Sequence, residues 1–225
     1  MSGTRIGMAM SGGVDSTVGA TLLREQGYRV EGFFMLLPVT GLEEQIERVR
    51  GLAAQLEIPL HLVDLRTEFR RVIRYFVDAY RRGYTPNPCI RCNPEIKFGA
   101  LRAAMRERGI GLMATGHYAR IIRPAGGGGA ALHRGLDPRK DQSYFLCRLP
   151  ADLLERIRLP LGEWRKDQVY ERADRLGLTG FAGQESQDVC FLAEGLSAFL
   201  RGQGLGEQAG EIVTADGRVL GGHNG

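Results

Sequence analysis

Residues 10–16 read Met-Ser-Gly-Gly-Val-Asp-Ser, directly after the apolar run Ile6-Gly7-Met8-Ala9 and directly before a helical pattern. A strand that passes into a helix through two adjacent glycines is the strongest single constraint on this chain. Gly12 and Gly13 let the backbone turn tightly and approach an anion with no Cβ in the way. Ser11 and Ser16 offer hydroxyls, and the unbonded N–H groups of the first helical turn add donors and partial positive charge. Together they form a cradle for a pyrophosphate. Asp15 is out of place in such a cradle unless it meets a Mg²⁺ that travels with the phosphates, since that ion takes carboxylate and phosphate oxygens together. The loop is not a Walker A sequence, which needs Gly, four residues, then Gly-Lys-Ser/Thr.

The rest of the pattern supplies a sheet for that loop. Residues 4–10 read as a first strand and 16–26 as the helix behind it. Tyr28 to Leu37 is a second strand, apolar enough to be buried on both faces; Leu42 to Leu56 has helical spacing, and Leu60 to Asp64 is a third strand. This alternation predicts an α/β fold with a doubly wound parallel sheet, in which nucleotides bind outside the carboxyl ends of the strands. Leu65 to Arg82 reads as a long helix. The two prolines and the Asn in Gly83 to Asn93 predict an extended segment there. Ile96 to Arg108 returns to helix, and Ile110 to Ala114 is a buried strand ending in the loop Thr115-Gly116-His117-Tyr118. Residues 124–129 form a glycine-rich, hairpin-like link, Leu153 to Arg158 and Trp164 to Leu176 are helical, and Leu178 to Gln187 is loop. Past Gly202, residues 210–214 and 219–220 flank an Asp216-Gly217 turn as a small β-hairpin. A lone hairpin is rarely stable. The expected organisation is therefore one domain over 1–202 and the start of a β-rich one, cut short, over 203–225.

Bulk properties exclude several classes. No stretch approaches a membrane span, and no basic segment followed by a long apolar one marks a secretory signal, so the expected location is the cytoplasm. A net charge of +4 suits an acidic partner such as RNA. Only Lys97, Lys140 and Lys166 are lysines among 30 basic residues; where arginine fills nearly every other basic position, a retained lysine hints at a need for a compact ammonium. Lys97 and Lys140 stand in motif-like segments. Of the four cysteines, Cys89 and Cys92 have the spacing of a metal half-site or a redox pair. Cys190 follows a glycine-containing stretch, and Cys147, inside Phe145-Leu146-Cys147-Arg148-Leu149, reads as core.

The Ser-Gly-Gly-Val-Asp-Ser turn resembles the PP-loop of the ATP pyrophosphatases, which cleave ATP to AMP and pyrophosphate while adenylating an oxygen. Read with Thr85–Phe98, Thr115–Arg120, Lys140–Leu146, Glu185–Phe191 and Gly210–Gly225, in that order along the chain, it resembles the bacterial tRNA-specific 2-thiouridylases, which place sulfur on C2 of the wobble uridine. The resemblance implies that Ala9, Met10, Ser11, Gly12, Gly13, Val14, Asp15, Ser16, Met35 and Gly116 hold ATP. It implies that Asn87, Pro88 and Cys89 lie against the target base, and that His117, Lys140, Asp141 and Gln142 contact tRNA. Cys92 and Cys190 would be the catalytic cysteines, the latter carrying a persulfide, with Asp15 serving the chemistry through Mg²⁺. A cysteine desulfurase or sulfur-relay protein is the implied sulfur donor.

The chemistry suits those parts. The C2 carbonyl of uridine is a poor electrophile with a poor leaving oxygen; adenylation converts that oxygen to AMP, and loop amides with Mg²⁺ stabilise the departing pyrophosphate. A thiolate must then stand near the activated carbon, and the base must leave its stack. Many relatives carry Asp where Cys89 stands. Cys89, Cys92 and Cys190 could instead ligate three irons of a 4Fe–4S cluster that delivers sulfide, and both sulfur routes stay open. Two rivals remain: a PP-loop enzyme with another acceptor, and a non-catalytic metal-binding RNA adaptor. Relatives continue past a Gly-x-His-x-Gly segment like Gly221–Gly225 into further β domains.

Overall fold

Five parallel strands, β1 (Arg5–Met10), β2 (Arg29–Leu36), β3 (Leu60–Asp64), β4 (Leu112–Ala114) and β7 (Ile157–Arg158), form a sheet in the order β3-β2-β1-β4-β7. The computed structural model describes residues 3–124, 128–178, 189–192, 195–206 and 208–224. The chain leaves β1 for β2 and β3 on one side and returns to place β4 on the other. The carboxyl end of β1 is thus the topological switch point, where doubly wound sheets open a crevice.

Alternating side chains of the strands feed two cores, which is why the strands read as near-continuous apolar runs. Ile6, Met8, Met10, Phe34 and Ala114 pack with Ala20 and Leu23 of α1 (Val14–Glu25) and with Ile46, Val49 and Ala53 of α2 (Leu42–Gln55). Phe33 and Met113 face the opposite core with Phe69, Val72 and Phe76 of α3 (Arg66–Arg81) and with Leu101 and Met105. The buried positions of α3, Phe69, Val72, Phe76 and Val77, recur at the helical spacing that leaves one apolar stripe.

Four expectations from sequence need correction. Residues 83–87 are extended or turn, but Pro88–Cys92 is a short helix, α4. Proline is harmless at a first helical position, and the Asn87 side chain caps the turn by accepting from the Cys89 N–H at 3.0 Å. The following helix starts earlier than Ile96: Asn93–Leu101 is π-helical and runs into α5 (Arg102–Glu107). The stretch 153–158 is not one helix; α6 (Ala151–Leu154) ends so that Ile157 and Arg158 can pair with Met113 and Ala114 as the fifth strand. Cys147 is exposed, because its neighbour Leu146 takes the buried place at the end of the 3₁₀ turn Ser143–Leu146.

The glycine-rich link does join an antiparallel pair, β5 (Ala119–Ile122) and β6 (Ala131–Arg134). Helix α7 (Lys166–Arg175) packs Val169 and Ala173 against Val14, Val18 and Leu22 of α1. After α8 (Leu196–Gly202), β8 (Gly210–Val213) and β9 (Val219–His223) form the expected hairpin, closed by a turn with Gly217 at φ +87°. Its apolar side chains Ile212, Val213, Val219 and Leu220 are exposed. The expected loop over 179–187, with most of the Glu185–Phe191 motif, lies outside the described residues.

Candidate functional site

The carboxyl ends of β1, β2 and β4 open into a cavity of about 530 Å³. It is walled by Ala9, Met10, Ser11, Asp15 and Ser16 from the glycine turn, Met35 from β2, and Pro88, Cys89 and Cys92 from α4. Gly116, His117, Lys140, Asp141, Gln142 and Cys190 complete the set that sequence reasoning had picked out. Gly12, Gly13 and Val14 do not line it: they build the turn behind it. Asn87 faces a second cleft instead.

The turn is held open by its own hydroxyls. Gly12 sits at φ +77°, a left-handed conformation that glycine adopts without strain. Ser16 Oγ accepts from the Ser11 N–H at 3.1 Å and donates to Gly13 O at 3.1 Å, while Thr17 Oγ1 donates to Gly13 O at 2.9 Å. No side chain caps the N-terminus of the 12-residue helix α1, which leaves its first turn available to an anion. The loop Thr115–His117 lies directly on this turn: a Cβ on Gly116 would come 3.0 Å from both Asp15 C and Ser16 N.

Asp15 has partners that sequence reasoning missed. Lys166 Nζ lies 2.7 Å and 2.8 Å from its two carboxylate oxygens, and the Tyr118 hydroxyl donates to Oδ1 at 2.7 Å. Tyr118 is buried, and burial together with the Asp15 charge pushes its phenol well above the usual range, so it remains a donor. Lys166 also sits 5.0 Å from the Tyr170 ring centroid. The only signal for Lys166 was its rarity as a lysine; neither its spacing nor its neighbours placed it 151 positions from Asp15 in one site.

The opposite wall carries the thiols. In the π-helical segment the five-residue hydrogen-bond period brings Lys97 back to the cavity side occupied by Cys92, and both line the cavity. Burial pushes the Cys92 thiol up to about 12, Lys97 opposes the rise, and the neighbouring Cys190 and Cys89 add to it. Cys89 and Cys190 are likewise raised by burial and pulled back by Lys97. Cys190 is open to solvent through the cavity mouth, yet the walls around it still desolvate its sulfur. Its position is fixed by the next residue: Phe191 packs edge-on against Phe76 and Phe69, with ring centroids 5.2 Å and 5.8 Å apart.

His117 is buried, its Nδ1 2.7 Å from Thr115 Oγ1, with its ring stacked near Phe98. Burial, reinforced by Lys97, holds its basicity well below the ordinary histidine value; it is a neutral imidazole at physiological pH. Asp141 and Gln142 line the cavity as well. Burial alone would raise the Asp141 carboxyl, but donors from Gly135 and Ser143 outweigh it and hold the group below the usual range. Gln142 Oε1 accepts from the Tyr118 N–H at 3.2 Å. Among the described residues, no three His, Cys, Asp or Glu side chains form a group that could hold a metal ion. Cys89, Cys92 and Cys190 all line the one cavity.

A parallel sheet with an uncapped glycine turn at its switch point, facing a cavity, defines a PP-loop type of α/β fold. Two solved structures share the fold: an NMN synthetase from Francisella tularensis (15% identity, 88% of this chain and 71% of that chain, TM-score 0.51), and a 4-thiouridine synthetase solved as an RNA complex with bound ATP (17%, 83% and 44%, TM-score 0.50). The family model described as the tRNA methyl transferase HUP domain matches residues 4–194, and the chain belongs to that family. Among curated relatives, a protein of Desulfotalea psychrophila named tRNA-specific 2-thiouridylase MnmA is 46% identical over 222 residues, 97% of this chain and 64% of that protein. One of the same name from Synechococcus sp. is 46% identical over 229 residues, 98% and 59%. The chain thus spans less than two thirds of these relatives' length. No helix of the described residues is long and apolar enough to cross a membrane.

Proposed function

We propose that this chain is the ATP-using, sulfur-transferring part of a cytoplasmic tRNA-uridine 2-sulfurtransferase. One observation carries the reading: the uncapped PP-loop turn and the thiols of Cys92 and Cys190 line the same cavity. Relatives that are 46% identical to it over the aligned residues and bear the name 2-thiouridylase support the choice of acceptor.

In this reading the first turn of α1, with Ser11 and Ser16, binds the β- and γ-phosphates, and Met35 and Gly116 bound the nucleotide. Mg²⁺ entering with ATP would meet Asp15, whose Oδ2 is engaged by Lys166 but keeps acceptor capacity; the ion would neutralise charge on the leaving pyrophosphate. The uracil O2 attacks the α-phosphorus and pyrophosphate leaves. The outer sulfur of a Cys190 persulfide then attacks C2, and AMP departs with the original oxygen. The Cys92 thiolate attacks Cys190 Sγ, which releases 2-thiouridine and leaves a Cys92–Cys190 disulfide for an external thiol to reduce. Lys97 is the cation that favours the thiolate over the thiol in this desolvated wall. Neutral His117, with Pro88 and Cys89, bounds the space for the base, and Lys140, Asp141 and Gln142 form the edge that tRNA meets.

The sulfur donor is a persulfide-delivering protein of the cysteine desulfurase or relay type. The alternative sulfur route, an iron–sulfur cluster on Cys89, Cys92 and Cys190, would draw on the same three cavity thiols. The division into a catalytic domain over 1–202 and the start of another over 203–225 belongs to the same proposal, supported by the exposed apolar side chains of the hairpin. The test is incubation with ATP, Mg²⁺, a persulfide donor and unmodified tRNA, followed by nucleoside analysis. The expected product is 2-thiouridine, lost in Cys92→Ser and in Cys190→Ser. Turnover that survives both substitutions would overturn the reading.

A further inference from the structure

A second cleft, of about 570 Å³, opens beside the thiol cavity and plays no part in the chemistry above. Its walls include Tyr75, Arg82, Tyr84, Asn87 and Arg91. Tyr84 is 68% exposed, although an aromatic ring in water gains nothing from being there. Its backbone is fixed, with its N–H donating to Ala79 O at 3.0 Å just past the end of α3. The ring is therefore presented from a firm base.

The charges of the cleft are unevenly spent. Asp78 is paired with Arg81, and Arg91 is paired with Glu95 at 2.7 Å while lying 4.8 Å from the Tyr75 ring centroid. The Arg82 side chain has no ion-pair or hydrogen-bond partner among the described residues, its backbone N–H alone being bonded, to Ala79 O, so the cleft offers one uncommitted guanidinium beside one uncommitted aromatic face. Aromatic faces and a free cation are what single-stranded nucleic acid uses, through stacked bases and a neutralised phosphate.

Continuity with the thiol cavity selects the occupant. Asn87 lines the second cleft, and the next two residues, Pro88 and Cys89, line the first. The cap of α4 is thus the partition between the two spaces. A polynucleotide that inserts one base against Cys89 must carry its neighbour past this partition.

We propose that the second cleft receives the nucleotide adjacent to the target uridine, its base stacked on Tyr84 and its phosphate on Arg82. This rests on the tRNA-thiolation reading and extends it to a flanking subsite. The test uses this chain with anticodon stem-loop RNA carrying 2-aminopurine either immediately 5′ or immediately 3′ of the target uridine. One of the two RNAs should lose fluorescence on binding as its probe stacks. Tyr84→Ala should abolish that loss and weaken binding by about 5- to 150-fold, whereas Tyr84→Phe, which keeps the ring, should preserve both. Arg82→Gln should lower the slope of log affinity against log salt by about 0.7. ATP binding should be unchanged in all three variants.

If the chain binds the RNA but neither probe responds to Tyr84→Ala, the subsite is refuted and the thiolation reading stands. Normal RNA binding with slowed sulfur loading of Cys190 would assign the cleft to the sulfur-donor protein and refute it too. Failure of the unaltered chain to bind RNA at all would overturn both.

Discussion

Replacing Lys166 with Met removes the ammonium that grips Asp15 and leaves that carboxylate with the Tyr118 hydroxyl. Two charges at the observed 2.7–2.8 Å attract by about 6 kcal/mol at an effective dielectric of 20, but most of that is offset by desolvation. The side chains are 15% and 27% exposed. The pair therefore falls between exposed bridges, worth about 0.2–1 kcal/mol, and buried ones, whose rupture costs about 3–5 kcal/mol. A loss of about 2 kcal/mol follows for Lys166→Met, and a coupling of about 1.5 kcal/mol with Asp15→Asn. The assay is urea unfolding of the single and double variants, combined as a double-mutant cycle. Repeating it with ATP and Mg²⁺ checks the functional link, since a slackened turn should give a smaller ligand-induced rise in midpoint. A coupling below about 0.5 kcal/mol would show that the ion pair does not brace the turn, and the argument for Lys166 would fail.

Gly116→Ala should weaken ATP binding by about tenfold, roughly the 1.4 kcal/mol of one decade, as seen by titration calorimetry. Its Cβ would meet main-chain atoms of Asp15 and Ser16 that cannot swing away. Gly51→Ala, exposed in α2 with nothing near the new methyl, should instead stabilise by about 0.5–1 kcal/mol. In a Cys147→Ser background, alkylation of Cys92 followed by mass spectrometry should stay slow below pH 9 and rise steeply towards its pKa of about 12. Lys97→Met should slow it further. Because this thiol is raised in the folded state, its contribution to stability is fully present below its ordinary value of 9.0 and is lost as pH climbs through 12. His117 works in the other direction. Its folded value is depressed, so its contribution is present above 6.5 and drains as pH falls below that; the urea midpoint of His117→Gln should decline less between neutral and acid pH than that of the unaltered chain.

The parallel sheet was legible because its signals are local. Apolar runs such as Ile6–Met10 and Phe33–Met35 are long enough to be buried on two faces, and the intervening helices repeat at their own period. The glycine turn could be read because its chemistry needs residues that are neighbours in sequence. Two-residue strands such as Ile157–Arg158 carry no periodicity, and exist only because β4 offers an edge. The π-helical phase from Asn93 is equally silent, since it differs from an α-helix by one residue per hydrogen bond and not by composition.

Sequence alone determined the nucleotide turn, the parallel character of the sheet and the cysteine spacing of α4, each written in short runs of neighbouring residues. Only the tertiary structure decided that Lys166 and Tyr118 clasp Asp15, that Lys97 faces the thiols, and that Phe191 seats Cys190 across the cavity. Those contacts join positions up to 151 residues apart, and such pairings arise from how helices settle on a sheet, a global packing outcome that no local pattern of residues encodes.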